Sequence, residues 1–275
     1  HIACAFDFAV KTDYEERTLT APGWFMDKTD PASVKDFPWP DPSEHMSIEE
    51  CRKAIDDVPE GFVKLGVLWS AHFQDACAAF GMENAMIAML TGPEMFQAVI
   101  DRITDFYLAA NEIFYRAAEG KMEMVLIGND FGSQTGLMVD PELLRKFVFS
   151  GTGKLIAQAH SHGFKVMHHS CGAVRDIIPD LIGLGADVIH PIQALAAGME
   201  PRGLHDEFGG KVAFCGGVDA QNLLVNGTPE QVRAKVRELR EIFPTGLIIS
   251  PSHEAILPDI PPANIEALFE ELKGR

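Results

Sequence analysis

Lys165-Val166-Met167-His168-His169-Ser170-Cys171-Gly172 is a short apolar run that ends in imidazoles and a thiol before a glycine lets the chain turn away. Four other runs share its length and character: Met124-Val125-Leu126-Ile127 ahead of it, and Ala186-Asp187-Val188-Ile189, Lys211-Val212-Ala213-Phe214 and Gly246-Leu247-Ile248-Ile249 behind it. Each is of strand length, and amphipathic helical patterns separate them. Alternation of this kind predicts parallel strands joined by helical crossovers. The helix starts carry clear signals. Asp140-Pro141-Glu142 supplies a capping acid, a proline at the first helical position and an acid in the first turn, ahead of Leu143, Leu144, Phe147 and Val148. Thr228-Pro229-Glu230-Gln231 fits a capping box before Val232, Val236, Leu239 and Ile242. Pro261-Pro262 precedes a last helix with Ile265, Leu268, Phe269 and Leu272 on one face.

Toward the N-terminus, Pro93 to about Glu119 reads as a long helix with Met95, Val99, Ile103, Phe106 and Ala110 inward, and Phe62–Trp69 reads as a strand. Between Lys11 and Pro59, six prolines and the acids Glu49, Glu50, Asp56 and Asp57 predict an elaborated loop with short helices. The sequence opens on His1 and enters the apolar Ile2–Phe8 at once, as though in mid-strand, so an upstream segment is expected. With Ile2–Phe8 the candidate strands number seven. The fold expected is α/β, a (β/α)8 TIM barrel forming one domain over residues 1–275 and lacking its N-terminal segment. An open doubly wound sheet is the competing architecture, but no Gly-rich phosphate loop follows an early strand.

The 275 residues are 47% hydrophobic and 23% charged, a balance that buries a core rather than staying disordered. A formal net charge of −17 repels nucleic acid and acidic membrane surfaces, and no basic cluster offsets it. No stretch approaches the roughly 20 apolar residues of a membrane span, and no basic-then-apolar leader opens the sequence. Five cysteines, Cys4, Cys51, Cys77, Cys171 and Cys215, show no tight spacing, which points to a reducing, cytoplasmic compartment.

In a parallel barrel the reactive side chains stand at the C-terminal ends of strands. Here those ends carry Asn129-Asp130, His168-His169-Ser170-Cys171, His190, Cys215 and Ser252-His253-Glu254. Residues i and i+2 of an extended segment face the same side, so His169 and Cys171 converge while His168 turns away in a structural role. Imidazole plus thiolate is a zinc donor pair, and a catalytic zinc takes three protein ligands with one position open. The third ligand has to come from another strand end. His253 and Cys215 are the two donors of the right kind, and Glu254 is a weaker one. A His-x-Cys pair is also compatible with a small buried hydrophobe beside a satisfied core histidine, and its strand-end position is what favours the metal. Asp130 opens a glycine-punctuated loop over residues 131–136. It is the catalytic candidate, as charge partner or proton donor, against the plainer role of capping the loop backbone. Gln134 in that loop, His72 after Trp69-Ser70-Ala71, and His190 are the substrate-binding candidates.

Taken together, Gly128-Asn129-Asp130-Phe131-Gly132-Ser133-Gln134 with Asp140-Pro141-Glu142, His169-Ser170-Cys171-Gly172, Phe214-Cys215-Gly216-Gly217-Val218-Asp219, and Pro251-Ser252-His253 through Pro261-Pro262-Ala263-Asn264-Ile265 form a set. In this set the chain resembles the uroporphyrinogen decarboxylase superfamily, and within it the branch of zinc-containing cobalamin-dependent methyltransferases. The likeness runs in register over residues 60–275 and more loosely before them. It implies a (β/α)8 barrel whose N-terminal helical stretch and first strand precede His1, and homodimers as in relatives of the superfamily.

In that branch a His-x-Cys pair and a later Cys hold zinc, which activates a thiol acceptor such as coenzyme M. His169 and Cys171 match the pair, and His253 stands where the later Cys falls. A Cys-to-His exchange keeps a zinc-competent donor and lowers the negative charge on the metal, making it a stronger Lewis acid. The resemblance thus implies a methyltransferase of a corrinoid-dependent system, with zinc on His169, Cys171 and His253, or Cys215 in place of His253. The cobalamin arrives on a separate corrinoid protein, and a small-molecule methyl donor or acceptor completes the reaction. The alternatives are a metal-independent uroporphyrinogen-type decarboxylase using Asp130, and a non-catalytic barrel that binds a corrinoid or tetrapyrrole. True decarboxylases lack the His-x-Cys pair and hold substrate carboxylates with an N-terminal Arg-rich segment, which this sequence does not show.

Overall fold

In the computed structural model, which describes residues 6–9, 21–253 and 255–274, all five apolar runs from Met124 onward become parallel strands. The chain divides into two units, one of residues 1–129 and 139–166, the other of residues 130–138 and 167–275.

In the first unit β1 (Leu65–Val67) runs parallel to β2 (Met124–Gly128), with Gly66 opposite Val125. The strand expected over Phe62–Trp69 is confined to these three residues, and Phe62 and Val63 ahead of it are 72% and 74% exposed. The long helix spans Pro93–Ala118 and buries Met95, Val99, Ile103, Phe106 and Ala110, as its spacing predicts. The elaborated loop contains short 3-10 turns at Pro31–Asp36 and Pro42–Glu44 and the helix Ile48–Asp56, which a Ser47/Glu50 capping box starts. Aromatic rings hold this region down, with Phe37 4.8 Å from both Phe8 and Trp39, and Phe80 5.7 Å from Phe96.

The expected first strand, Ile2–Phe8, lies outside the described residues over 2–5. Its described end is in no strand: Phe6 and Phe8 both pack into the aromatic cluster instead of alternating across a sheet. Six parallel strands are therefore present among the described residues, against the seven predicted.

The second unit contains the last three residues of β3 (Lys165–His169), then β4 (Val188–Ile192), β5 (Ala213–Val218) and β6 (Leu247–Pro251), each parallel to the next. Helices Ile178–Leu184, Pro201–Phe208 and Pro229–Ile242 are the crossovers, and Pro262–Lys273 follows β6. The Thr228/Gln231 capping box forms as predicted. The core under β5 gathers Val218, Leu224, Val232, Val236, Leu239, Ala267 and Leu268, all fully buried. Phe269, expected inward, is 51% exposed, because Ala267 and Leu268 take the buried face of the last helix.

Strand register matters most for the site. His169 is opposite His190, with Met167 opposite Val188. In-register residues on adjacent strands point to the same face, so the two imidazoles stand side by side. Both β4 and β5 reach further along the chain than the apolar runs suggest, which places His190 and Cys215 within strands rather than after them.

Candidate metal centre

The site of the second unit is built by two backbone segments. The last residue of β3 delivers His169, the turn after it delivers Cys171, and the loop that begins at residue 130 delivers Asp130. Oδ1 of Asp130 accepts the Cys171 backbone N–H at 2.9 Å and lies 3.3 Å from Nε2 of His169. The Cys171 Sγ is 3.5 Å from the same Nε2. One ligand atom from each of these residues lies within 4.8 Å of the other two, the one such group found among the described residues. The His169 side chain is 2% exposed and that of Asp130 35%, so the group is walled on the imidazole side and reachable on the carboxylate side.

Glycines let the two segments meet. A Cβ on Gly132 would stand 2.8 Å from the Cys171 carbonyl oxygen, and one on Gly172 would stand 2.4 Å from the Gly132 carbonyl carbon. Gly172 also has φ +87°, in the left-handed region that only glycine enters without strain. Hydrogen bonds fasten the contact: Ser170 Oγ accepts the Phe131 N–H at 3.0 Å, and Ser133 O accepts the Ala173 N–H at 2.7 Å. From β4's far end, the buried Gln193 accepts the Gly172 N–H through Oε1 at 2.6 Å. Ser170 stands among the strand-end residues read from the sequence, whereas Gln193 does not; its one available signal is a polar residue directly after a strand, since its partner is distant in sequence.

The His169 imidazole beside Asp130 holds its carboxyl below the usual carboxylate range; burial opposes this, and the Cys171 N–H adds a lesser lowering effect. His190 has its Nδ1 2.8 Å from Nδ1 of His169. Burial, then the nearby His169 and His253, push its pKa down to about 4, so it is neutral at pH 7. Burial raises the thiol of Cys215, whose Sγ faces Ser250 Oγ at 3.4 Å.

Neither Cys215 nor His253 belongs to the close donor group. His253 instead turns Nδ1 to its own loop, where it accepts the Ala255 N–H at 3.1 Å. Gln134 is exposed, and its carbonyl accepts the Ala197 N–H at 2.9 Å. His72 lies in the first unit and is not on a loop. It begins the helix His72–Phe80, is 1% exposed, and sets Nε2 3.1 Å from the Val148 carbonyl and Nδ1 3.3 Å from the Asn129 amide nitrogen. His168 is fully buried and stacks on Phe131.

The donor chemistry fits a zinc ion. Ligand atoms about 2.0–2.3 Å from a tetrahedral centre are separated from one another by roughly 3.3–3.8 Å. The Asp130–His169 and His169–Cys171 separations of 3.3 and 3.5 Å fall in that range.

The family model for uroporphyrinogen decarboxylase (URO-D) matches residues 13–275. The chain belongs to the uroporphyrinogen decarboxylase family. A curated relative, "Methylated-thiol--coenzyme M methyltransferase" of Methanosarcina mazei, is 28% identical over 216 residues, which are 74% of this chain and 53% of the relative. This member of the family thus spans about half the length of the curated relative it matches. A solved structure, a methyltransferase from Methanosarcina mazei, shares its fold with a TM-score of 0.65 at 19% identity, over 82% of this chain and 63% of that one. Among the described residues no helix is long and apolar enough to cross a membrane.

Proposed function

We propose that this uroporphyrinogen decarboxylase family member is a zinc-dependent methyltransferase of a corrinoid-dependent system. The observation that carries the reading is the convergence of Asp130, His169 and Cys171 within 4.8 Å. The curated relative, itself a methyltransferase with a thiol in its name, supports the reaction class. His169 and Cys171 are the ligands expected from the sequence, and the geometry favours Asp130 as the third over His253 or Cys215. Bound zinc supplies a Lewis acid that stabilises the deprotonated form of a thiol or similar nucleophile at neutral pH.

The chain's own residues prepare that chemistry. The Asp130 carboxyl is ionised at pH 7 and is held against Cys171 by accepting its N–H, so it can act as an anionic donor. The Gly132–Gly172 contact fixes Asp130 against Cys171, which removes the cost of gathering the donors on binding. Gln134, on an exposed loop tied to this clasp, is suited to meet a substrate or a corrinoid protein. Methyl transfer to or from the corrinoid of a partner protein completes the reading, together with barrel closure and the homodimer.

The test is zinc stoichiometry of the purified chain and of His169→Ala, Cys171→Ser, Asp130→Ala and His253→Ala, with methyl transfer between methylcobalamin and a panel of thiols followed spectrally. Near-stoichiometric zinc, lost in the first three variants and kept in the fourth, is expected. A zinc-free protein, or one whose zinc is indifferent to His169 and Cys171, sinks the mechanism and leaves the decarboxylase or carrier reading.

A further inference from the structure

His190 is not one of the close donors, yet its ring lies against one of them. The register of β3 and β4 sets the centroids of His169 and His190 4.9 Å apart, with their Nδ1 atoms separated by 2.8 Å. Both residues are buried, at 2% and 7% exposure. Two imidazole nitrogens this close must share one proton: with two the hydrogens collide, and with none the lone pairs repel. That leaves two arrangements, and they differ in what His169 offers on its other side. If His190 donates, His169 carries its proton on Nε2, pointed toward Oδ1 of Asp130 3.3 Å away, and Nε2 is closed to a cation. If His190 accepts, the His169 proton sits on Nδ1 and Nε2 presents a lone pair beside Asp130 and Cys171.

We propose that His190 is a positioning residue that selects the tautomer of His169, accepting its Nδ1–H so that Nε2 is free to ligate a divalent cation. This rests on the metal-binding reading above. A backbone carbonyl or a carboxylate usually takes this role behind a ligating histidine, and neither can donate in its usual state at neutral pH. An imidazole can do both. Starting from the arrangement in which His190 donates, cation binding exchanges the tautomers of both rings: the shared proton passes from Nδ1 of His190 to Nδ1 of His169, the Nε2 proton of His169 leaves to solvent, and His190 takes one up at its own Nε2. The two imidazoles together release no net proton.

Zinc itself is the probe. Affinity is measured by competition with a chromophoric chelator for the wild type, His169→Ala, His190→Phe and His190→Gln. Histidine tautomers are read from long-range ¹⁵N–¹H NMR correlations of the wild type with and without zinc. Zinc affinity is expected to fall by about 10- to 100-fold in His190→Phe. It recovers in His190→Gln, whose amide oxygen accepts the Nδ1–H. In the wild type, His190 is expected as the Nε2–H tautomer once zinc is bound. Zinc binding that depends on His169 but is as tight in His190→Phe as in the wild type, or a His190 still protonated at Nδ1 with zinc bound, overturns this inference alone. Failure of the wild type to bind zinc, or binding indifferent to His169→Ala, overturns the metal reading and the inference with it. Should His190→Phe not fold, the wild-type spectra and His190→Gln decide.

Discussion

Asp130 accepts the backbone N–H of Cys171 at 2.9 Å, so the carboxylate is anchored by the main chain of the residue whose thiol it stands beside. Anchoring and charge can be separated by mutation. Asp130→Asn keeps an oxygen to accept that N–H and loses the negative charge, whereas Asp130→Ala loses both. Asp130→Ala is expected to lower stability by about 1–3 kcal/mol, the cost of leaving a partly buried donor unpaired. Asp130→Asn should keep most of the stability while zinc affinity falls in both variants. Urea unfolding with zinc titration checks this, and full zinc affinity in Asp130→Asn excludes the carboxylate as a ligand.

The glycine contact makes a second prediction. Gly172→Ala combines a left-handed φ of +87° with a Cβ 2.4 Å from the Gly132 carbonyl carbon, while Gly163→Ala meets a similar φ of +84° with nothing within 4 Å. Backbone strain alone predicts a loss of about 1–2 kcal/mol at Gly163. Gly172→Ala should cost clearly more and also weaken zinc binding, because it separates Asp130 from Cys171. Equal losses at the two positions would show that the clasp contributes nothing to stability.

In the first unit, burial pushes the pKa of Asp75 up to about 6, although the Tyr107 hydroxyl donates to its Oδ2 at 2.5 Å. A carboxyl raised on folding favours the native state while it is protonated. That contribution is complete below the unfolded value of about 3.9, fades as pH rises, and is gone above about 6. Asp75→Asn retains an acceptor for Tyr107 without the buried charge. It should be more stable than the wild type at pH 7, on the order of 2 kcal/mol, with the difference shrinking toward pH 4. Thermal unfolding of both proteins from pH 4 to 7.5 tests the sign, and a constant difference across that range contradicts it.

Leu268 and Phe269 are neighbours on the last helix with opposite environments. Leu268→Ala opens a cavity in the core under β5 and is expected to cost about 2–5 kcal/mol. Phe269→Ala, at a half-exposed position, should change stability by less than about 1 kcal/mol. Chemical denaturation of the two variants measures both.

The Phe269 position shows where reading a sequence reaches its limit. Apolar spacing locates a helix and its approximate inward face, but the phase is fixed by whichever side chains fill the space, here Ala267 and Leu268. The strands from Met124 onward were legible because each is a short apolar run between marked helix starts. The His169 and Cys171 pair was legible because period-two geometry depends on local backbone alone.

Asp130 was legible as a site residue but not as the partner of Cys171. Their meeting depends on two backbone segments touching at Gly132 and Gly172, some 40 positions apart in sequence. The His169–His190 contact was hidden for a related reason, since register between strands is a long-range property. His253 was a plausible third donor by position, and the bond it makes to Ala255 in its own loop carried no signal in the residue pattern.

The clasp between the two segments also has a mechanical side. Gln134 sits on the exposed part of the loop that Gly132 joins to the Cys171 turn, and its carbonyl ties that loop to Ala197. With no side chain at Gly132 or Gly172 to act as a cushion, backbone rests on backbone. The spacing between this loop and the turn that carries Cys171 is therefore set by main chain alone, with no side chain between them to vary it.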